Sequence, residues 1–274
     1  MAKVLVVTSG KGGVGKTTTT AALGAALAQS GQSVVVVDFD VGLRNLDLVM
    51  GAERRVVFDL INVVQGVAKL PQALIRDKRL ENLWLLPASQ TRDKEALTEA
   101  GVERVIDDLR ARFDWIVCDS PAGIEKGATL AMRFADAAVV VANPEVSSVR
   151  DSDRIIGLLD SKTRLAEEGT KIDKHLLLTR YDAARASRGE MMKVEDVLEI
   201  LAIPLLGVVQ ESPDVLTASN FGAPVTLHNP ASPAARAYAD AARRLMGETV
   251  EARSTRPERR SLLDRLFGRK AAAA

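Results

Sequence analysis

Residues Gly10-Lys11-Gly12-Gly13-Val14-Gly15-Lys16-Thr17 lie between an apolar, β-branched run, Lys3–Thr8, and a helical pattern from Thr17 to Ser30 that closes on Gly31. Their spacing meets the phosphate-loop pattern at every fixed position. The glycines let successive backbone N–H groups converge on one point with no Cβ in the way. The helix that follows adds the positive end of its dipole. Such a loop works only where a buried strand feeds it and a helix leaves it, so it commits the chain to α/β architecture. Lys16 is placed to reach the β- and γ-phosphates of a nucleotide, and Thr17 to offer its hydroxyl to Mg²⁺.

The rest of the chain continues the alternation. Apolar or β-branched runs predict strands at Ser33–Asp38, Asn82–Pro87, Trp115–Asp119, Ala137–Ala142, His175–Thr179 and Leu205–Val209. Several are apolar at consecutive positions, as in strands covered on both faces. Helical patterns fall at Val102–Phe113, Ser147–Glu168, Lys193–Ala202 and Ala234–Met246. The expected fold is therefore a doubly wound, mostly parallel sheet flanked by helices, of the P-loop NTPase type. Trp84 and Trp115 fall within strands and read as core residues, and His175 and His228 as structural or surface residues.

A 274-residue chain that is 47% hydrophobic holds one large core. Residues 1–246 form the expected ATPase domain, 247–260 a charged flexible linker, 261–270 an amphipathic helix and 271–274 a featureless tail. Lysines and arginines number 37 against 36 acids, a net charge of +1, so any affinity for a charged surface must be local. The single cysteine, Cys118, excludes a disulfide framework and reads as a buried, inert thiol in a reducing compartment. The stretch Val4–Val7 is too short for the core of a signal peptide, and no segment approaches the roughly 20 apolar residues of a membrane span.

Two acidic sites can complete the chemistry. Asp119 ends the strand run Ile116-Val117-Cys118-Asp119 beside the loop, where a carboxylate can hold Mg²⁺ through water; Asp38 and Asp40 end the second strand at the same edge. Of the latter pair, one can orient the attacking water while the other supports the metal's outer shell. Carboxylates at strand ends also cap helices, which is the plainer reading of each. Lys11 is not needed to cradle phosphate. A cation there can cross to a partner's nucleotide, as an arginine finger does in trans.

The loop Lys11-Gly12-Gly13-Val14-Gly15-Lys16-Thr17-Thr18 resembles that of the deviant Walker A ATPases, a family that includes partition ATPases and the nitrogenase iron protein. Within it, Asp38-Phe39-Asp40-Val41-Gly42-Leu43-Arg44-Asn45-Leu46-Asp47 is similar to the septum-site-determining branch. So are Asp119-Ser120-Pro121-Ala122-Gly123-Ile124-Glu125, Asn143-Pro144-Glu145-Val146-Ser147-Ser148-Val149-Arg150-Asp151 and Ala218-Ser219-Asn220. The resemblance implies an ATPase that uses ATP and Mg²⁺. Lys11, Gly12, Gly13, Val14, Gly15, Lys16, Thr17, Thr18 and Arg180 would bind the cofactor, and Thr17, Asp38 and Asp119 would serve the metal. Lys11, acting across an ATP-sandwich homodimer, Lys16, and Asp40, positioning water, would be catalytic. It implies a cytoplasmic protein, peripheral on the cytoplasmic face of the inner membrane, that recruits the division inhibitor MinC and, where present, is released by MinE. Asp151 and Asp153 are the candidate inhibitor contacts. Gln210 stands where the family usually places proline, so the resemblance does not extend to the base contacts.

The run Leu262-Leu263-Asp264-Arg265-Leu266-Phe267-Gly268 resembles the branch's membrane-targeting sequence. On a helix, Leu262, Leu263, Leu266 and Phe267 share one face, and Arg259, Arg260, Arg265, Arg269 and Lys270 supply local positive charge toward anionic lipids. The rival function is a partition-type ATPase that binds DNA non-specifically through Arg150, Arg154, Lys162 and Arg164. Asp151, Asp153 and Asp160 interrupt that stripe, so nucleic acid is not the expected partner. Cys118 alone cannot supply the two thiolates per subunit of a shared iron–sulfur cluster. Thr170-Lys171-Ile172-Asp173 matches a guanine-reading pattern but precedes its strand, which places it at the opposite sheet edge from the nucleotide.

Overall fold

The structure, a computed structural model, describes residues 2–90 and 94–251. Eight strands form one sheet: β1 Lys3–Thr8, β2 Val34–Asp38, β3 Ile75–Arg76, β4 Leu83–Leu86, β5 Trp115–Asp119, β6 Ala137–Ala142, β7 Asp173–Tyr181 and β8 Leu205–Gln210. Their spatial order is β3-β4-β2-β5-β1-β6-β7-β8, and every neighbouring pair is parallel except β3 with β4.

The central runs carry two cores at once. Val4, Val6, Val35, Val37, Ile116, Cys118, Ala138 and Val140 pack into one cluster, while Leu5, Val7, Val34, Val36, Trp115, Val117, Ala137 and Val139 pack into the other. Alternate residues of a strand point to opposite faces, so an unbroken apolar run is what two covering layers of helices require. Helices Glu99–Arg110, Val146–Lys162 and Val194–Leu201 contribute to the first cluster. Helices Lys16–Gln29 and Pro233–Leu245 contribute to the second. Gly24 lets the first of these lie close on the sheet, since a Cβ there would meet Val36 Cγ1 at 2.5 Å.

Three features differ from the expectation. The pattern read as one helix over Ser147–Glu168 is two, Val146–Lys162 and Arg164–Glu167. Thr163 breaks it at ψ 154, its hydroxyl donating to the Leu159 carbonyl at 3.0 Å and accepting the Ala166 N–H at 3.2 Å. The two-residue β3 and the helices Lys126–Arg133 and Pro213–Asn220 were not expected. Trp84 is only half-buried, edge-on to Phe113 at 6.5 Å, with Arg76 over its ring.

His175 hydrogen-bonds Asp173, and His228 stacks on Phe221 with ring centroids 5.1 Å apart. Residues 247–251, expected to begin the linker, are tied back: Arg244 donates to the carbonyls of Val250 and Glu251. Residues 252–260 of the linker, the amphipathic segment 261–270 and the tail 271–274 lie outside the described residues. Among the described residues no helix is long and apolar enough to cross a membrane.

Candidate functional site

Strands β1, β2 and β5 end side by side, and their parallel register delivers the polar residues of the site to one edge. Asp38 stands opposite Asp119 across the β2–β5 pair, and Val7 of β1 stands opposite Asp119 on its other side. The glycine loop leaves β1 at this edge. Gly13 and Gly15 take φ of 76 and 97, values that disfavour any side chain, and Gly15 directly precedes the helix that starts at Lys16. Val14 tucks into the core while Gly12 and Gly13 face outward. The loop thus turns its backbone toward open space and its one large apolar side chain inward.

Lys16 is 7% exposed, and its ammonium donates to Ser9 Oγ at 3.0 Å and to the Lys11 carbonyl at 3.5 Å. Burial lowers its pKa, and the charges of Asp119 and Asp40 pull the other way. Asp119 accepts the Thr20 hydroxyl at 3.2 Å and the hydroxyl of Thr17. Burial pushes its carboxyl up to about 7, although these hydroxyls and the Lys16 charge favour the anion. Burial, and then the charge of Asp119, push Asp38 well above the usual carboxylate range.

Two buried carboxylates repelling each other beside a hydroxyl form a donor set that fits a divalent cation, whose charge would reverse that repulsion. Asp38 is already occupied, one oxygen accepting the Asp40 N–H at 2.8 Å and the other the Leu46 N–H at 3.3 Å. It shapes the turn that carries Asp40, which leaves its charge, more than its lone pairs, to act on a metal.

That turn is strained. Arg44 has φ of 48, and its N–H and that of Leu43 both bond the Asp40 carbonyl. Its guanidinium reaches the fully buried Asp47, with Nε and Oδ2 2.8 Å apart but without hydrogen-bond alignment. Asp40, half-buried, is close enough for its charge to act on Lys16. Lys11 points elsewhere: its ammonium donates to Glu145 at 3.1 Å and to Ser147 at 3.0 Å, both at the start of the helix Val146–Lys162. The same helix lies against the glycine loop, since a Cβ on Gly10 would stand 2.3 Å from the Asp151 carbonyl oxygen. Asp151 is half-buried there and Asp153, two residues further and so on the other side of the helix, is exposed.

A cavity of about 300 Å³ opens beside the loop, walled by Val14, Gly15, Thr18, Val209, Val215, Leu216 and Tyr238, with Arg180, Gln210 and Glu211 among its polar residues. Arg180 adopts φ of 53 and is exposed. Thr179 Oγ1 lies 2.7 Å from the Val14 carbonyl and 3.0 Å from Asn143 Oδ1, which ties β7 to the loop. Ser9, Glu145, Ser147, Thr179 and Asn143 had no role assigned from sequence. Glu145, Ser147 and Asn143 fall inside a recognised motif, whereas Ser9 and Thr179 are ordinary strand-end hydroxyls with no pattern to mark them. The Thr170–Asp173 segment lies where β7 begins, at the opposite end of the sheet from the loop.

A parallel sheet whose glycine loop, buried lysine and paired aspartates meet at one edge defines a P-loop nucleotide hydrolase. The chain belongs to the CobQ/CobB/MinD/ParA nucleotide-binding family, whose domain matches residues 5–225, and within it to the MinD septum-site-determining ATPases. It is 62% identical over 270 residues to the septum site-determining protein MinD of Escherichia coli K12, covering 98% of this chain and 100% of that protein. Its fold is similar to MinD in the MinC:MinD cell division protein complex of Aquifex aeolicus, with TM-score 0.80 and 43% identity over 92% of this chain and 99% of that one. It is also similar to the septum site-determining protein MinD complexed with Mg-ADP from Pyrococcus horikoshii OT3, with TM-score 0.79 and 30% identity over 89% and 96%.

Proposed function

We propose that this chain is an ATP-driven switch: its ATP-bound form pairs with a second copy, binds an anionic membrane and recruits the division inhibitor MinC, and hydrolysis releases it, with MinE speeding release where it is present. The observation that carries the reading is the position of Lys11. Its ammonium is half-exposed at the edge of the site, held by Glu145 and Ser147 of its own chain. Leu43, Ile124 and Val146 are 66%, 49% and 70% exposed on loops and a helix start at the same sheet edge. Apolar side chains left in water around a half-exposed cation suit a face that a second copy covers, placing each Lys11 near the other's phosphates.

In this reading the loop amides and Lys16 bind the phosphates, Thr18 and Arg180 contact the nucleoside, and Asp40 holds the attacking water. Thr17 and Asp119 would hold Mg²⁺, with Asp38 behind them. The ion would supply charge to stabilise the transferring phosphoryl group. Asp151 and Asp153 are proposed contacts for MinC, the partner of the Aquifex relative, because their helix rests directly on the loop.

The membrane step is assigned to Leu262, Leu263, Leu266 and Phe267, each contributing about 1.5–3 kcal/mol if fully buried. Ordering about ten residues costs a similar total, so one tail binds weakly. Two tails on a dimer gain about 10²–10⁴ in affinity from shared encounter. Sedimentation with anionic liposomes under ATP, ADP and no nucleotide tests this reading, with pelleting expected under ATP alone. Leu266→Glu should abolish pelleting while ATP-dependent dimerisation in solution persists. A variant that pellets like its parent would exclude the tail as anchor.

A further inference from the structure

The turn that carries Asp40 runs into a helix too short to hold itself. Leu46–Val49 has four residues, and a single helical turn is not stable alone in water. Asp38 fixes its start by accepting the Leu46 N–H at 3.3 Å. Its end is fixed from outside the site. Arg79, on the connection between β3 and β4, donates from Nη2 to the Met50 carbonyl at 2.8 Å and from Nη1 to the Gly222 carbonyl at 2.9 Å. Met50 closes the helix Leu46–Val49, and Gly222 lies just beyond the helix Pro213–Asn220.

The guanidinium is aimed at that pair of carbonyls. The Asp77 side chain is 1% exposed, and its two oxygens take Arg79 Nε at 3.2 Å and Nη2 at 2.7 Å. The same carboxylate accepts the N–H groups of Arg79 and Leu80, which fixes it in turn. A planar fork locked along one edge presents its remaining N–H groups in set directions, as a lysine ammonium does not. Beside it two main chains touch: a Cβ on Gly51 would stand 2.5 Å from the Gly222 carbonyl oxygen, and one on Gly222 2.7 Å from Gly51 Cα. Both glycines take positive φ, 64 and 62. Among the described residues, every hydrogen bond of the Arg79 side chain goes to Asp77, Met50 or Gly222. None reaches the glycine loop, Lys16 or the strand-end aspartates.

We infer that Arg79 is a positioning residue for hydrolysis: by bracketing the Met50 and Gly222 carbonyls it holds the helix Leu46–Val49, and with it the turn that presents Asp40 to the attacking water. The inference rests on the reading of Asp40 given above. Two physical points support it. Arg44, within that turn, sits at φ of 48, and such backbone persists only where its flanks are over-determined. Asp38 supplies one flank and Arg79 the other. Misplacing a group by about 1 Å can cost about 10²-fold in rate, so a slack helix end is felt at Asp40 before it is felt in the fold. Arg79 touches no reacting atom, and its whole effect on the chemistry passes through Met50, the helix and the turn.

The test uses two variants of the full chain. Arg79→Lys keeps a cation beside Asp77 but cannot span both carbonyls, and Asp77→Asn keeps Arg79 but removes the charge that aims it. Calorimetry reads Mg·ATP affinity, and single-turnover phosphate release with anionic liposomes reads the chemical step. Arg79→Lys should bind ATP within about 3-fold of the parent and release phosphate about 10-fold more slowly. Asp77→Asn should slow release in the same sense by less. In an Asp40→Ala background, Arg79→Lys should slow release no further, because a residue that acts through Asp40 then has nothing to position. A bracket that served only the fold would add its own loss in both backgrounds. Release within about 2-fold of the parent in both variants, an equal loss of ATP affinity, or a further loss on top of Asp40→Ala would overturn the inference and leave the Asp40 assignment standing. Parental release by Asp40→Ala alone would overturn that assignment and the inference with it.

Discussion

Where the strands of the sheet start, Lys3 faces Asp173, Arg110 faces Asp136, and Arg133 is shared between Glu99 and Glu167. Where they finish, Asp38 stands beside Asp119 under full burial, and Lys16 is sunk among carboxylates with only neutral oxygens as direct partners. One end settles its charges in opposed, solvent-screened pairs. The other crowds two carboxyls in a dry place, where burial and mutual repulsion make them hold their protons, a cost that the surrounding sheet enforces and that a phosphate–metal ligand would relieve. The stability of this protein is thus divided by position: secured at one edge, and held in reserve for a ligand at the other.

The contrast breaks most severely at Lys16. Lys16→Ala removes the only buried cation of the finishing edge among the described residues and should weaken ATP binding by on the order of 10²-fold or more, since charge-assisted hydrogen bonds contribute about 1.5–3 kcal/mol each. Calorimetry reads the loss directly, and near-parental affinity would refute the role. Asp40→Ala should still bind ATP but hydrolyse it about 10²–10⁴-fold more slowly, as for loss of a group that handles the attacking water. Single-turnover phosphate release distinguishes this from a binding defect.

Asp119 sharpens the comparison through pH. Its folded-state pKa is raised, from 3.8 to about 7, so the folded protein holds that proton more tightly than the unfolded chain does. Its contribution is greatest at low pH and declines as pH rises from about 4 to about 7, at up to about 1.4 kcal/mol per unit. Urea unfolding at pH 5 and pH 7.5 without nucleotide should show Asp119→Asn gaining on the parent at the higher pH. An equal difference at both would remove the buried-charge argument. The smallest effect belongs to the starting edge. Arg133→Ala breaks two partly exposed pairs and should cost no more than about 1 kcal/mol, with ATP affinity intact by the same calorimetry.

The elements legible in advance were those whose signal is local. The bounds of β1, β5 and β6 coincide with the apolar runs that predict them, because a strand buried on both faces has no other composition available. The glycine loop carries its geometry in its own residues. β3 has two residues and therefore no period to detect. The helix Pro213–Asn220 opens on Ser212, whose hydroxyl accepts the Asp214 N–H, and on Pro213 in its first turn, a start signal too short to show a helical period. The hold of Glu145 on Lys11 spans 134 positions of sequence, and only the completed sheet brings them together. Thr163 shows the converse: apolar spacing continues through it, and a hydroxyl that competes for the backbone ends the helix regardless.

Gly10 has a mechanical consequence. Its missing side chain lets the phosphate loop meet the helix Val146–Lys162 backbone to backbone at Asp151, with no rotamer between them to flex or re-pack. Side chains act as springs at most junctions within proteins; here two main chains touch like gear teeth. At that point the loop bears on a helix whose first turn also holds Lys11 through Glu145 and Ser147. A methyl group at position 10 would hold those teeth apart, so a chain carrying it could keep every phosphate-binding group and still lose that contact.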